Sequence, residues 1–377
     1  MLSRSYWEDQ LYFGKPDYIV VGGGLVGMYT AYYLKKNYPD ADILVLERGP
    51  FGEGASTKNA GFACFGSVSE LIDDIELFGT DKVKETLTMR WQGLQLTRSV
   101  LKDENINYEE KGGTEVFLPE NSDLKNICLK KLPEINALVR ECIGMPGVFE
   151  YHEGSPKGTK GFDGYIFNRL EGSLNTSMFN NALYQKCIDN KIRFLFGFEV
   201  DKLKHGADPH VIHKKYGAIY AKSIFVTTNG FVNHLIPDLD VKPVRNQVIV
   251  TEEIEGLQLN GCYHMDKGYF YFRNIGKRIL IGGGRNKLGS KEETFLFDQT
   301  DEAFTLLSTI LKGHIEGVKD PKMDYHWSGI LGIGGNKKPI IAEVSEGVFV
   351  GVRMGGMGVA ICSLVGKQLA ELTKIAN

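Results

Sequence analysis

The chain has 377 residues, of which 42% are hydrophobic and 24% charged; this is globular composition, with room for two domains and a full core. A formal net charge of −3 gives no electrostatic footprint for nucleic acid, which is thereby disfavoured as a main partner. Six cysteines, at 64, 128, 142, 187, 262 and 362, include no CxxC pair and no metal spacing, so zinc is not suggested and free thiols in a reducing compartment are expected.

The opening Met1-Leu-Ser-Arg-Ser-Tyr-Trp-Glu-Asp9 lacks the apolar core of a signal peptide, and no stretch reaches membrane-spanning length. A cytoplasmic protein is expected. The first predicted element is an apolar strand running into a glycine turn, Asp17-Tyr-Ile-Val-Val-Gly-Gly-Gly-Leu-Val-Gly27. Gly22 permits the tight turn, Gly24 lets backbone approach a pyrophosphate, and Gly27 lets the next helix pack closely on the sheet. The N-terminus of that helix turns its free N–H groups towards the phosphates. A second strand, Asp42-Ile-Leu-Val-Leu-Glu47, ends on a carboxylate where an adenosine ribose would offer hydroxyls.

Next comes a long small-residue loop, Gly52 to Gly66, of a kind that tends to carry function. Helix formers dominate from about 71 to 103, the segment 113–118 alternates like a strand, and 122–142 reads as helix. A further dinucleotide-domain signature begins near Gly172, with a helix over about 176–190 and a strand at 192–196. Short strands at 210–213 and 218–221 lead to a buried strand from Ser223, which empties into Thr228-Asn-Gly230. Such strand ends collect ligands in open α/β sheets. The segments 244–251, 269–273 and 278–282 read as antiparallel strands of a separate inserted sheet. A strand at 347–351, a second glycine cluster Met354-Gly-Gly-Met-Gly358 and a helix over about 359–374 close the chain.

These landmarks together resemble the flavin-dependent amine and D-amino-acid oxidase superfamily, glycine and sarcosine oxidase type, over nearly the whole chain. The resemblance rests on Ser5-Tyr-Trp7, Gly22-x-Gly-x-x-Gly27, Glu47-Arg48, Gly54-Ala-Ser-Thr-Lys-Asn-Ala-Gly61, Thr228-Asn-Gly230, Pro243-Val-Arg245 with Gln247, and Trp327-Ser-Gly329. The run Tyr269-Phe-Tyr-Phe-Arg273 before Gly282-Gly-Gly284 looks most like the gamma-glutamylputrescine oxidase branch. What it implies is an α/β chain, α+β overall: a Rossmann-like FAD-binding domain with an inserted antiparallel substrate domain, the glutathione-reductase-like fold of these oxidases. The expected division gives residues 1–100, 150–243 and 328–377 to the FAD-binding domain and 101–149 and 244–327 to the substrate-binding domain.

The resemblance also implies a cofactor set for FAD. Gly22, Gly24, Leu25, Val26 and Gly27 would take the pyrophosphate, and Glu47 and Arg48 the adenosine side. Ser56, Thr57, Lys58, Asn59, Ala60 and Gly61 would face the isoalloxazine, opposite Met354, Gly355, Gly356, Met357, Gly358 and Val359. Val200, Asn229, Gly230 and Gly329 complete the set. Backbone N–H groups at the start of the last helix are suitable stabilisers for the negative charge of a reduced flavin. No cysteine falls between Trp327 and Pro339, where some sarcosine oxidases attach flavin covalently, so FAD is expected to be non-covalent.

Flavin oxidation of an amine moves a hydride equivalent to N5 while the nitrogen lone pair stabilises the developing iminium, and a neutral amine needs no dedicated base. A hydroxyl substrate does need one. Related hydroxy-acid enzymes place a histidine where this chain has Cys64, which favours a primary or secondary amine as substrate. The carboxylate readers of glycine-oxidase and sarcosine-oxidase relatives correspond to Leu331 and Ala360, so Arg273 or Arg353 would have to replace them. Alternation puts Tyr269, Tyr271 and Arg273 on one face of their strand and Phe270 and Phe272 on the other. The catalytic candidates are therefore Arg273, Tyr271 and Arg353, while His326 and Trp327 read as packing residues. The acceptor is oxygen or another oxidant. The alternatives are an FAD-dependent 2-hydroxy-acid dehydrogenase and, from another class, a flavin-bearing RNA-acting or binding module. A nicotinamide enzyme would leave the Ser56 loop and second glycine cluster without a ligand.

Overall fold

A computed structural model describes residues 4–374; residues 1–3 and 375–377, which begin and end the expected outer segments, lie outside the described residues. Six strands form the first sheet, in the order Ile340–Ser345, Val348–Val352, Ser223–Val226, Tyr18–Val21, Ile43–Glu47 and Arg193–Phe196. All neighbours are parallel except the first pair. Tyr18–Val21 is buried at every position, as a parallel strand covered on both faces must be. Tyr18 and Val20 pack under the helices Leu25–Asn37 and Gly358–Glu371. Ile19 and Val21 face Val211 and Ile219, which belong to a three-stranded antiparallel sheet on the other side.

The second sheet has eight strands, in the order Met323–Ile333, Lys242–Thr251, Arg278–Gly283, Phe270–Ile275, Cys262–Met265, Gly113–Phe117, Gly164–Asn168 and Phe149–Glu153. Only the Cys262–Met265 and Gly113–Phe117 neighbours are parallel. Ile249, Phe270, Phe272, Ile279 and Ile281 pack against Leu307 and Leu311 of the helix Asp301–His314, so the Phe face of the 270–275 strand is its core face.

The expected division shifts at two places. The expected boundary at 149/150 cuts the strand Phe149–Glu153 and leaves Gly164–Asn168 in the dinucleotide part, yet both strands pair into the eight-stranded sheet beside Gly113–Phe117. The alternating burial of Gly164–Asn168 suits a sheet with one covered face. Met323–Ile333 likewise runs unbroken past the expected boundary at 327, held by its pairing along Lys242–Thr251. The helical stretch expected over 71–103 is two helices, Val68–Phe78 and Thr80–Leu101, because Gly79 between them takes φ +84°.

The last helix is clasped between two others by close backbone approaches. A Cβ at Gly366 would lie 2.5 Å from Tyr29 Cβ and 2.8 Å from Thr30 N of the first helix. On its other side, a Cβ at Gly93 would lie 2.1 Å from the carbonyl oxygen of Ala360, and Ser363 Oγ donates to Gly93 O at 2.7 Å. Alanine in a helix ordinarily gains up to about 1 kcal/mol over glycine. Here the sign reverses: Gly93→Ala is expected to destabilise the protein by about 1–3 kcal/mol in denaturant unfolding, as overpacking does. Gly313→Ala, in a helix where the added Cβ meets nothing within 4 Å, should be neutral or stabilising by a few tenths of a kcal/mol or more.

Candidate active site

One long cavity of about 560 Å³, within the range of small-molecule sites, runs from the first glycine turn to the inner face of the eight-stranded sheet. Gly22, Gly24, Leu25, Val26, Glu47 and Arg48 line one end. Ser56, Lys58, Asn59, Ala60, Val200, Asn229 and Gly329 line its middle, with Met354, Gly355, Gly356, Met357, Gly358 and Val359. Cys64, Glu70, Asp73, Asp74, Asn246, His264, Lys267, Tyr269, Tyr271, Arg285 and Lys337 also face it.

Four of the expected cofactor residues stand behind the wall and shape it. A Cβ at Gly27 would lie 1.9 Å from Gly22 O, so this glycine sets the approach of helix to strand. Thr57 Oγ1 donates to Gly52 O at 2.9 Å, and Gly61 N donates to Asn59 Oδ1 at 2.9 Å, which fixes the loop. Gly230 packs on the backbone of Leu331. Asn229, itself at φ +47°, accepts from the backbone N–H groups of Arg353 and Met354 at 3.1 Å each, and so holds the turn that starts the glycine cluster.

The cavity suits a dinucleotide on its own chemistry. Two helix N-termini, at Leu25 and at Gly358, open into the same space and favour negative charge there. Glu47 accepts from Gly23 N at 2.8 Å and Gly49 N at 2.9 Å, and its oxygens retain lone pairs for hydroxyl donors. Thr228 Oγ1, in the lining, is buried without a protein hydrogen-bond partner.

The three expected catalytic residues part company. Tyr271 lies in the cavity, where its hydroxyl oxygen accepts from Asn246 Nδ2 at 2.9 Å and burial keeps the phenol protonated by raising its pKa, against the pull of Arg285. Arg273 is not in the lining, which corrects its expected role as a substrate reader. Its Nη1 donates to the carbonyls of Gly61 at 2.9 Å, Leu174 at 3.0 Å and Ala60 at 3.3 Å, pinning the loop from behind; the partner its buried charge requires is backbone. Arg353 touches the cavity, but its guanidinium is bound to Asp240 Oδ2 at 2.7 Å, Asn336 Oδ1 at 3.0 Å and Lys338 O at 2.9 Å. Trp327 packs as expected, donating Nε1–H to Lys58 O at 3.0 Å.

A polar cluster that the sequence reading did not assemble stands beside Tyr271. His264 Nε2 lies 3.2 Å from Glu171 Oε2, and Cys64 is close enough that one ligand atom of each of the three falls within 4.8 Å of the others. Glu171 Oε1 accepts from the backbone N–H groups of Phe65 at 3.1 Å and Gly66 at 3.3 Å. Burial alone would lower the His264 pKa, but the Glu171 hydrogen bond and the charges of Glu171, Glu115 and Glu70 outweigh it and raise the value. Burial, with Glu171 and Glu70, pushes the Cys64 thiol well above its usual range, so it stays protonated. Glu70 is half-buried, yet Arg90 at 3.2 Å and Lys337 at 2.8 Å bring its pKa down to about 2. The available signal for His264 was alternation: Tyr263 and Met265 are core residues, which turns His264 to the opposite, cavity face.

Fold and cavity define a dinucleotide-dependent oxidoreductase. The chain belongs to the family of FAD dependent oxidoreductases (DAO), which it matches over residues 17–372, and its cofactor is FAD. It is 24% identical to gamma-glutamylputrescine oxidoreductase of Escherichia coli (strain K12) over 383 aligned residues, covering 95% of this chain and 83% of that protein. It is 25% identical to L-2-hydroxyglutarate dehydrogenase of Escherichia coli O17:K52:H18 over 230 residues, 60% of this chain and 50% of the other. The crystal structure of glycine oxidase from Geobacillus kaustophilus has the same fold, with a TM-score of 0.78 at 19% identity over 96% of this chain and 95% of that one. Among the described residues no helix is long and apolar enough to cross a membrane.

Removing the Arg273 donor takes a partner from the carbonyls of Ala60 and Leu174, at about 1–3 kcal/mol for a buried unsatisfied group, while Gly61 O keeps the backbone N–H of Leu174 at 2.8 Å. Arg273→Leu should therefore lower the FAD-to-protein ratio of the purified protein and its unfolding midpoint; a variant with full flavin content and unchanged midpoint would contradict the assignment.

Proposed function

We propose that this protein oxidises a primary or secondary amine to an imine, which hydrolyses to a carbonyl compound, with FAD held non-covalently by the wall residues between Gly22 and Val359. The observation that carries this reading is Cys64. On the loop position where hydroxy-acid relatives place a histidine, the side chain is a half-buried thiol in the cavity wall with a raised pKa, which cannot serve as a base near neutral pH. An amine supplies its own driving lone pair and needs none there. The similarity to gamma-glutamylputrescine oxidoreductase, an enzyme named for an amine, points the same way.

Bound FAD would supply the acceptor for the hydride leaving the carbon beside nitrogen. The chain's own task is to deliver the amine neutral, since an ammonium has no lone pair to give. With Nε2–H held by Glu171, the Nδ1 of His264 is the free acceptor for the ammonium proton, and Glu171 stabilises the imidazolium that results. Tyr271, its oxygen already accepting from Asn246, has an O–H left to orient the substrate.

His264 also favours a second reading, oxidation of a 2-hydroxy acid, in which Nδ1 would take the hydroxyl proton; the partial match to L-2-hydroxyglutarate dehydrogenase agrees with it. Anaerobic mixing of the yellow protein with amines and 2-hydroxy acids separates the two, because only the true class bleaches the flavin band. The pH profile separates them again. If an amine is the substrate, kcat/KM should rise with pH through a pKa above 6.5, the direction in which His264 is shifted. His264→Asn should then lose activity mainly at low pH and recover at high pH, where the amine is neutral unaided. A hydroxy acid would instead lose about 10²–10⁴-fold at every pH, as when a general base is removed.

A further inference from the structure

Seven cations line the cavity, and their pairing is uneven. Arg90 and Lys337 are spent on Glu70 and Asp74, Lys267 on Asp73, and Arg353 on Asp240. Arg48 lies over the Phe231 ring at the dinucleotide end and Lys58 over Phe297 on the loop. Arg285 remains. It is half-buried in the wall beside Tyr269 and Tyr271, and among the described residues its side chain makes no hydrogen bond or ion pair. Its guanidinium instead stacks on Tyr269, with Cζ 5.2 Å from the ring centroid, a contact that restrains the cation without neutralising it.

The backbone holds Arg285 in that place. Gly283 at φ +109° and Gly284 at φ +82° turn the chain out of its strand directly across Tyr269, and Gly284 N donates to Tyr269 O at 2.9 Å. A Cβ at Gly283 would lie 1.9 Å from the same carbonyl, so no other residue allows the approach. A planar five-donor cation, stacked, half-desolvated and without an anion, is the arrangement that takes a carboxylate by a bidentate contact. His264 pairs in register with Tyr271, and Tyr271 with Gly282. Arg285 follows beyond that second strand, so the anion reader and the proton acceptor stand on opposite sides of the Tyr271 strand, their own strands about two spacings, roughly 10 Å, apart.

We infer that Arg285, seated on Tyr269, is a specificity-determining residue that binds a carboxylate several bonds away from the reacting nitrogen, so that the substrate class is an amine bearing a distal acid rather than a simple α-amino acid. The placement of the nitrogen rests on the amine reading above; the carboxylate site does not. It also explains how the chain dispenses with an arginine at Leu331 and a lysine at Ala360.

Two pairs of probes test it on the holoprotein. Titration of the visible flavin band with pentanoate and pentanamide, neither of which can be oxidised as an amine, should show the acid binding about 10–100-fold more tightly. Arg285→Gln should bring the two within about 2-fold, by weakening pentanoate alone, and Arg285→Lys should recover part of the preference. The flavin spectrum and unfolding midpoint of each variant show that it remains folded and loaded. Equal binding of acid and amide by the native protein, or a preference that survives Arg285→Gln, would overturn the inference. Flavin reduction by 5-aminopentanoate and 5-aminopentanamide tests the other half: KM for the acid, but not kcat, should rise about 10–100-fold in Arg285→Gln. A carboxylate preference lost in Arg285→Gln, with no amine reducing the flavin, would retain this site and reject amine oxidation. Reduction by both amines with no preference between them would do the reverse.

Discussion

The fit of the last helix against the first is the constraint on which the site depends. Gly366 and Gly93 let Gly358–Glu371 lie between Leu25–Asn37 and Thr80–Leu101 at backbone contact, and Gly27 brings the first helix down onto its strand. Because these helices cannot slide relative to one another, both of their N-termini open into one cavity. Two sets of helix-terminal N–H groups then act on the same space, one suited to phosphate and the other to an electron-rich ring. A side chain at any of the three glycines would push a terminus out of register with the other.

Much of this was legible in the sequence, because the dinucleotide half is built from local signals. A strand ending in Gly22-x-Gly24-x-x-Gly27, an acid ending the next strand and a glycine cluster opening a helix each depend on neighbours within a few residues. The inserted sheet was legible in its central strands but not in its full extent. Its outer members, Phe149–Glu153 and Gly164–Asn168, join it through pairings that no local pattern encodes, and Cys262–Met265 is too short to announce itself. The active-site cluster failed to appear for the same reason. Cys64, Glu171 and His264 are separated by 107 and 93 positions along the chain, and only the fold joins them: His264 stands in the inserted sheet, while Cys64 and Glu171 flank the short pairing of Phe62–Ala63 with Gly172–Ser173.

The arginines show where sequence reasoning about charge stops. A buried arginine must have a partner, but the rule does not say which kind. Arg273 finds three carbonyls and becomes a clamp on the cofactor loop; Arg353 finds Asp240 and closes the turn before the glycine cluster. Both were attractive as substrate readers because strand alternation and sequence adjacency aimed them at the flavin region. Arg285 attracted no notice, since it stands just outside a strand in a glycine-rich turn. Yet it is the arginine on the Tyr269 side of the cavity whose charge the protein leaves unmatched.

That uneven pairing gives the cavity a consistent electrostatic plan. Glu70, Asp73 and Asp74 are balanced by Arg90, Lys267 and Lys337, so the acidic wall attracts no cation strongly and offers its lysines to no anion. The groups left to act on the Tyr269 side of the cavity are an imidazole raised towards protonation by Glu171, a thiol that burial keeps silent, and one stacked guanidinium. A substrate that matches them carries a nitrogen able to give up a proton at one end and an anion at the other. Neither end alone would be held well: the nitrogen meets an aromatic wall with no free carboxylate, and an anion at His264 would face Glu171. It is the separation of the two functions across the Tyr271 strand, rather than the strength of either, that would make the pocket selective.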